Sequence, residues 1–222
     1  MPLGLKKGKI SCIFCGNDAE FVKMFDDHFC PKCLRFQKEI AATETKLLPI
    51  FKLKKYIFVA QKYTYYIYND LESKIGSCEW RDLSKLIGKK DFNIRFYFFN
   101  DINRIIGSID SSSLNDEKGK NATWKIYDYG RFLKGEIRYT VGSDTWQIFN
   151  PKGEIIASRD PQDSKVALQT ARLFTIIDAN NPDKKLFSIS RKAGFYLTIL
   201  SEEIDPHLAW GTVICIHRKY YL

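Results

Sequence analysis

A short turn signature recurs four times in the chain, beginning at Asn69, Asn100, Asn150 and Asn181. Each copy opens with Asn followed by Asp or Pro, passes through polar residues, and leads into an apolar pair followed by Gly, Ala or Ser. An aromatic or β-branched run precedes every copy: TYYIY, IRFYFF, TWQIF and LFTIID. Because Asn, Asp, Pro and Gly favour tight turns, each copy predicts a β-hairpin. The spacings of 31, 50 and 31 residues indicate two related halves of two hairpins each.

The sequence around these hairpins is also strand-like from about Leu48 onward. The run KYIFVAQKYTYYIY and the segments WKIYDYG and GEIRYTVGSD are rich in residues that favour strands. Only Pro161–Ala171 has a helical composition, and it is equally compatible with a surface loop. A chain of hairpins this long must bury its apolar faces, either by pairing two sheets or by closing into a barrel.

The last apolar stretch, Leu208–Ile216, predicts a helix that is buried on every side. Asp205 is suited to cap it, with Pro206 in its first turn, and His217, Arg218 and Lys219 match the negative end of the helix dipole. A helix of about a dozen residues spans only about 18 Å, short of a bilayer core of about 30 Å. We therefore predict an internal helix that fills the barrel, with a membrane tail anchor as the alternative.

Four of the six cysteines form two C-x2-C pairs with fourteen residues between them: Cys12, Cys15, Cys30 and Cys33. Two such knuckles can close a tetrahedral shell around one structural zinc ion. The alternative is two disulfides, which a reducing cytosol disfavours. His28 is a neighbour that the complete thiolate shell does not need. Residues 8–40 resemble a zinc ribbon, whereas Cys78 and Cys215 indicate buried small hydrophobic residues.

The Asn-x-x-x-x-(Ile/Leu)-x-Ser turns and the end segment FYLTILSEEIDPHLAWGTVICIHRKYY resemble the tubby-like superfamily, particularly its branch of phospholipid scramblases and plant LURP-one-related proteins. The resemblance covers about residues 48–222 and implies a twelve-stranded barrel around a C-terminal helix. It also implies an anionic phospholipid as a candidate partner, although the chain lacks the cysteine-rich and EF-hand-like segments expected of scramblases. The predicted fold is mainly β: a zinc ribbon with a basic N-terminal arm (residues 1–40), a linker (41–48) and an antiparallel barrel enclosing a hydrophobic helix (49–222).

The motif content predicts a binding protein that is not an enzyme. The chain contains no G-x-S-x-G, G-x-x-x-x-G-K-[ST] or G-x-G-x-x-G motif, and its three histidines form no ligand pair. The N-terminal MPLGLKKGKI has no apolar signal region, and no apolar run is long enough to span a membrane. We therefore expect a cytoplasmic protein.

The net charge of +9 favours an anionic partner. We expect RNA or a ribonucleoprotein such as the ribosome, contacted through the ribbon and a basic surface. An anionic membrane surface and a protein partner of the ribbon are the alternatives. Aromatic residues between the cations, such as Trp124 and Phe132, fit base stacking or an inward strand face. The candidate binding residues are Lys6, Lys7, Lys9, Lys32, Arg35, Lys89, Lys90, Lys120, Lys125, Arg131 and Lys134.

Overall fold

The computed structural model describes residues 8–13, 15–22, 27–33, 35–37, 49–61, 64–82, 94–111, 121–163 and 173–221. The N-terminal part is a four-stranded antiparallel sheet in which the strands pair in chain order. Its strands are β1 (Ile10–Ser11), β2 (Asp18–Val22), β3 (Asp27–Cys30) and β4 (Arg35–Phe36). The predicted linker, residues 41–48, lies outside the described residues.

The larger part is a closed antiparallel barrel of twelve strands, which is what the family resemblance implied and is one of the two arrangements that the hairpin pattern left open. A short 3-10 helix, Pro49–Lys52, precedes it, and every strand pairs with the next along the chain. Pairing of the last strand with the first, at Phe195 and Phe58, closes the ring. The strands are β5 (Lys55–Gln61), β6 (Thr64–Tyr68), β7 (Lys74–Asp82), β8 (Ile94–Asn100), β9 (Ile105–Ser111), β10 (Ala122–Asp128), β11 (Leu133–Thr140), β12 (Thr145–Phe149), β13 (Ile155–Arg159), β14 (Phe174–Asp178), β15 (Lys185–Arg191) and β16 (Phe195–Ile199).

Helix α1 (Pro206–Tyr221) runs through the interior of the barrel. Trp210 is fully buried, and four aromatic rings from the barrel wall and the 3-10 helix lie edge-on to it, with centroids 5.0 to 5.7 Å away. Gly211 lies so close to β10 that a Cβ atom there would sit 2.7 Å from Ile126 Cδ1. The prediction of an internal helix is confirmed, and the tail-anchor alternative is wrong. Within the described part of the chain, no helix combines the length and apolar content needed to cross a membrane.

One turn geometry recurs in four hairpins of the barrel, where it joins β6 to β7, β8 to β9, β10 to β11 and β12 to β13. In the turns that start at Asn69, Asn100, Asp128 and Asn150, the backbone N–H of the first residue donates to the carbonyl four residues later. The side-chain oxygen of that first residue accepts a backbone N–H from within the turn, and the fourth residue of each turn has a positive φ. Sequence reasoning found three of these turns and missed the one at Asp128, where Asp replaces Asn. The predicted hairpin at Asn181 is also present, but its turn is longer and begins at Asp178.

The connections divide between the two ends of the barrel. The five turns that follow β6, β8, β10, β12 and β14 lie at the end where α1 begins, here called the turn end. There His207 of α1 contacts the carbonyl of Ile106. The other six connections join strands at the opposite end, the loop end, where Tyr220 of α1 donates to Asp144. The two ends of the barrel are therefore formed by different segments of the chain and can carry different charges.

Candidate metal centre and charged surfaces

The four predicted ligands converge in the N-terminal sheet. The Sγ atoms of Cys12 and Cys33 are 3.6 Å apart, as are those of Cys15 and Cys30, and all four lie within 4.8 Å of one another. A tetrahedral zinc ion with Zn–S bonds of about 2.3 Å separates its sulfurs by about 3.8 Å. A disulfide would require about 2.05 Å. The geometry fits one metal ion and contradicts the alternative of two disulfides.

Backbone hydrogen bonds shape the first knuckle, between β1 and β2. The N–H of Cys12 donates to the Asn17 carbonyl at 2.7 Å, and the N–H of Gly16 donates to the Cys12 carbonyl at 2.8 Å. Gly16 has a φ of 72°, a conformation that side chains with a Cβ rarely adopt. The second knuckle begins at Cys30, the last residue of β3, and ends at Cys33, two residues before β4.

Two amide side chains that sequence reasoning missed point at the sulfurs. Asn17 Nδ2 donates to Cys15 Sγ at 3.4 Å, and Gln37 Nε2 donates to Cys12 Sγ at the same distance. The Asn17 hydrogen bond lowers the pKa of Cys15 to about 6, whereas burial raises the pKa of Cys33 well above its ordinary value. N–H donors to sulfur support thiolates, the form that binds metal. The sequence signal for these donors was an amide residue shortly after each C-x2-C pair: Asn17 two residues after Cys15, and Gln37 four residues after Cys33.

His28 does not join the sulfur cluster. Its Nε2 lies 2.9 Å from the Gly8 carbonyl oxygen, and its ring packs edge-on against Phe21. The histidine therefore contributes to the packing of the sheet near the knuckles.

Two of the predicted cations of the ribbon, Lys9 and Arg35, already contact other residues of the protein. Lys9 is exposed, and its Nζ lies 3.1 Å from Glu20 and 3.9 Å from Asp18. Arg35 donates to the Gly130 carbonyl on the turn between β10 and β11. Lys32 is exposed without an ion pair to any residue the structure describes. Residues 8–37 contain four Lys or Arg and four Asp or Glu, so these side chains contribute no excess of positive charge. Lys6 and Lys7 lie outside the described residues.

Among the predicted barrel cations, Arg131 has a structural role. Its guanidinium donates to Asp110 at 2.8 Å and to Ser108 at 2.7 Å, and only 12% of its side chain is exposed. The fully buried Arg95 donates to the same carboxylate at 2.7 Å. Burial raises the pKa of Asp110, but the charges and hydrogen bonds of the two arginines outweigh it and leave that pKa lowered. Arg131 is therefore held by the fold and is not available to a phosphate.

The remaining predicted cations differ in accessibility. Lys134 lies 3.1 Å from Asp205, at the start of α1, and Lys125 lies 3.6 Å from Glu136 but stays half exposed. Lys89, Lys90 and Lys120 are outside the described residues. In sequence they belong to the connections that join β7 to β8 and β9 to β10 at the loop end.

Most of the aromatic residues that alternate with these cations in sequence pack into the barrel and are not available for base stacking. Trp124 is buried and stacks on Trp146 with ring centroids 5.7 Å apart. Tyr127 is half-buried beneath the Arg131 guanidinium, 4.0 Å from its ring centroid. Phe132 is exposed at the turn end. The described aromatic residues of this stretch do not form a stacking platform beside the lysines.

A cationic cluster that was not among the predicted sites surrounds the end of α1. Arg218 and Lys219 lie over the rings of Phe96 and Tyr139, at 5.0 and 4.6 Å. Arg191 is close enough that burial, together with its charge and that of Arg218, lowers the pKa of His217 to about 4. Arg218 and Lys219 were the sequence signal for this cluster, but the sequence analysis interpreted them only as partners of the helix dipole.

Comparisons with known proteins give a limited result. No protein-family model matches the chain, and no curated protein is significantly similar to it. A protein of Arabidopsis thaliana with a structure solved by X-ray crystallography is similar in fold, with a TM-score of 0.47 and 10% sequence identity over 75% of this chain and 88% of that one.

Proposed function

We propose that the protein is a non-enzymatic, cytoplasmic binding protein that contacts RNA or a ribonucleoprotein through the loop end of its barrel. The N-terminal module is proposed to be a zinc ribbon. The barrel wound around its own helix has the architecture that the tubby-like resemblance implied, and this supports membership of that superfamily.

Zinc has a structural role in this proposal. Four cysteine thiolates would fill a tetrahedral shell and leave no position for a substrate or an activated water molecule. Among the described residues of the ribbon, the buried cluster at the sulfurs consists of Cys12, Cys30 and Ala19, with Cys33 partly buried beside them, and Phe29 is the other buried apolar residue. A metal ion would therefore supply much of the stability of this small sheet.

The distribution of charge between the barrel ends carries the RNA proposal. The six connections at the loop end and the last turn of α1 contain eleven Lys and Arg residues and six Asp and Glu residues. The five connections at the turn end contain four and five, respectively. In sequence, the positive excess therefore falls in the segments that join strands at the loop end, and Lys192, Arg218 and Lys219 are its members among the described residues. Clustered cations are the electrostatic footprint of phosphate-polymer binding.

The described cations at this end are also held in place. Arg218 and Lys219 lie over aromatic faces, and Lys192 lies 5.6 Å from the ring centroid of Tyr196. Cation–π contacts reduce the side-chain freedom that a phosphate contact would otherwise have to restrict. The loop end therefore offers a partly preorganised set of cations.

Fluorescence anisotropy with a labelled structured RNA tests the proposal. Binding by the full chain should weaken steeply and linearly on a log–log plot against salt, because each phosphate contact releases counterions. Sedimentation with phosphatidylserine vesicles in the same buffer is the parallel measurement. No RNA binding at low salt would contradict the proposal, and vesicle binding without RNA binding would favour the anionic phospholipid implied by the family resemblance.

A further inference from the structure

The side chain of Gln37 crosses from one knuckle of the candidate metal centre to the other. Gln37 lies four residues after Cys33 and is half-buried. Its Oε1 accepts the backbone N–H of Ile13 at 2.8 Å, and its Nε2 donates to Cys12 Sγ at 3.4 Å. Ile13 lies between the two cysteines of the first C-x2-C pair. One amide group therefore contacts both a candidate ligand atom and the backbone that carries it.

The two hydrogen bonds determine which way the Gln37 amide faces. A backbone N–H can only donate, so the atom opposite the Ile13 nitrogen must be the amide oxygen. The amide nitrogen is then the atom that faces Cys12 Sγ, and it has a hydrogen to donate. The Gln37 side chain is thus fixed as a donor toward this sulfur.

The backbone of Gln37 is attached to the hairpin that carries the second knuckle. Its N–H donates to the carbonyl of His28 on β3 at 2.9 Å. Strand β3 ends at Cys30 and pairs with β4 through Phe29 and Phe36. The donor to the first knuckle is therefore held by the strands that position the second pair of cysteines.

Asn17 makes a comparable contact that stays within one knuckle. Its Nδ2 donates to Cys15 Sγ at 3.4 Å and to the carbonyl oxygen of the same residue at 3.2 Å. These partners are two residues away in sequence, whereas Gln37 and Cys12 are 25 residues apart. Asn17 therefore shapes a local turn, and of these two amides Gln37 is the one that links the knuckles.

N–H donors at the sulfurs favour metal binding for an electrostatic reason. Four thiolates bring more negative charge than one divalent ion neutralises. A hydrogen directed at a sulfur compensates part of this excess and fixes the orientation of the ligand. Outer partners of metal ligands typically contribute about 10- to 100-fold in metal affinity. Loss of the Gln37 donor should therefore weaken the site without removing a ligand.

We propose that Gln37 is a positioning residue of the metal centre, which raises its affinity for zinc by donating to Cys12 Sγ and holding the first knuckle in place. This role presupposes the proposed zinc ribbon. Gln37 acts through Cys12 and does not itself bind the metal. Because the amide is attached to the second knuckle, the two pairs of cysteines bind zinc as one unit.

Gln37→Glu and Gln37→Met, made in the full chain, test this role. Both substitutions keep the approximate length of the side chain, and both remove the N–H group that faces Cys12 Sγ. Competition with a chromophoric chelator under reducing conditions measures the zinc affinity, which should fall about 10- to 100-fold in both variants. Gln147→Glu, on β12 of the barrel, is the control with the same change in charge and should keep the wild-type affinity.

Cobalt substitution separates donation to the sulfur from a role in folding. A sulfur that loses an N–H donor releases charge to the metal more easily, so the sulfur-to-cobalt charge-transfer absorption of both variants should move to longer wavelength. The visible bands of a tetrahedral site should remain, because all four cysteines are still present. Weaker zinc binding with an unchanged charge-transfer band would assign Gln37 to folding alone and overturn the proposal.

The wild-type protein separates this role from the proposed zinc ribbon. If the wild type binds no zinc, both are wrong. If the wild type binds zinc and both Gln37 variants match it in affinity and absorption, only the role of Gln37 is overturned. A loss of affinity in Gln37→Glu but not in Gln37→Met would attribute the effect to the added negative charge and would also overturn the proposal.

Discussion

His207, in the first turn of α1, places its Nε2 2.9 Å from the carbonyl oxygen of Ile106 on β9. Its Nδ1 lies 2.9 Å from the Asp205 carboxylate. Both ring nitrogens therefore have a hydrogen-bond partner, one before the helix and one on the barrel wall. A Cβ atom at Gly107 would sit 2.7 Å from the His207 ring, which shows how tightly the histidine fits the barrel wall. This residue joins the internal helix to the strands at its entry point.

Replacement of His207 by leucine should therefore destabilise the barrel. The variant leaves the Ile106 carbonyl and the Asp205 carboxylate without this partner, at a cost of about 2–4 kcal/mol in the free energy of unfolding. Urea denaturation followed by tryptophan fluorescence measures this loss. His28→Leu, in the ribbon, is the control and should leave the barrel transition unchanged. Equal stability of His207→Leu and the wild type would contradict the role of this contact.

Acid should weaken the same contact. Burial raises the pKa of Asp205, but the hydrogen bond and charge of His207, with the charge of Lys134, outweigh it and lower that pKa. A carboxyl group with a lowered folded-state pKa contributes stability that is present above its unfolded pKa, about 3.9, and is lost as the pH falls through the folded value. We expect Asp205→Asn to be less stable than wild type at neutral pH and to lose less stability between about pH 5 and pH 2. Parallel pH profiles for the two proteins would refute this assignment.

The turns offer a test that uses two copies of one backbone position. Glu72 and Gly153 are the fourth residues of their turns, with φ of 58° and 85°. Glu72→Gly should raise the free energy of unfolding by up to about 1 kcal/mol, and Gly153→Ala should lower it by about 1 kcal/mol, since only glycine adopts this conformation without steric cost. Denaturation midpoints of both variants measure the effect. Shifts of the same sign would show that the turns are not equivalent.

The sequence predicted the repeating features of the fold better than its individual contacts. The turns, the internal helix and the four cysteines each have a local pattern, such as an Asn followed by polar residues, that is independent of distant parts of the chain. Arg131 could not be assigned in this way, because its partner Asp110 is 21 residues away in sequence and is brought close only when β9 pairs with β10. The cluster that includes Arg191 and Arg218 has the same origin, since the end of β15 meets the end of α1 only in the folded barrel.

Metal content tests the ribbon. We expect one zinc ion per chain in protein purified under reducing conditions, and its loss in Cys15→Ser and Cys30→Ser. Elemental analysis measures the zinc, and cobalt substitution should give the visible absorption of a tetrahedral thiolate site. Cys78→Ala, which alters a buried cysteine of the barrel, is the control and should keep the metal. Zinc retained after both ligand substitutions would exclude the four-cysteine site.

Charge reversal at the two ends of the barrel distinguishes a binding face from an effect of net charge. Lys192→Glu with Lys219→Glu, at the loop end, should weaken RNA binding about tenfold or more and reduce the slope of the log–log salt dependence. Lys152→Glu with Lys185→Glu, at the turn end, makes the same change in net charge and should have a much smaller effect. Equal losses of RNA affinity in the two double variants, measured by anisotropy in one buffer, would show that only net charge matters and would contradict a binding face at the loop end.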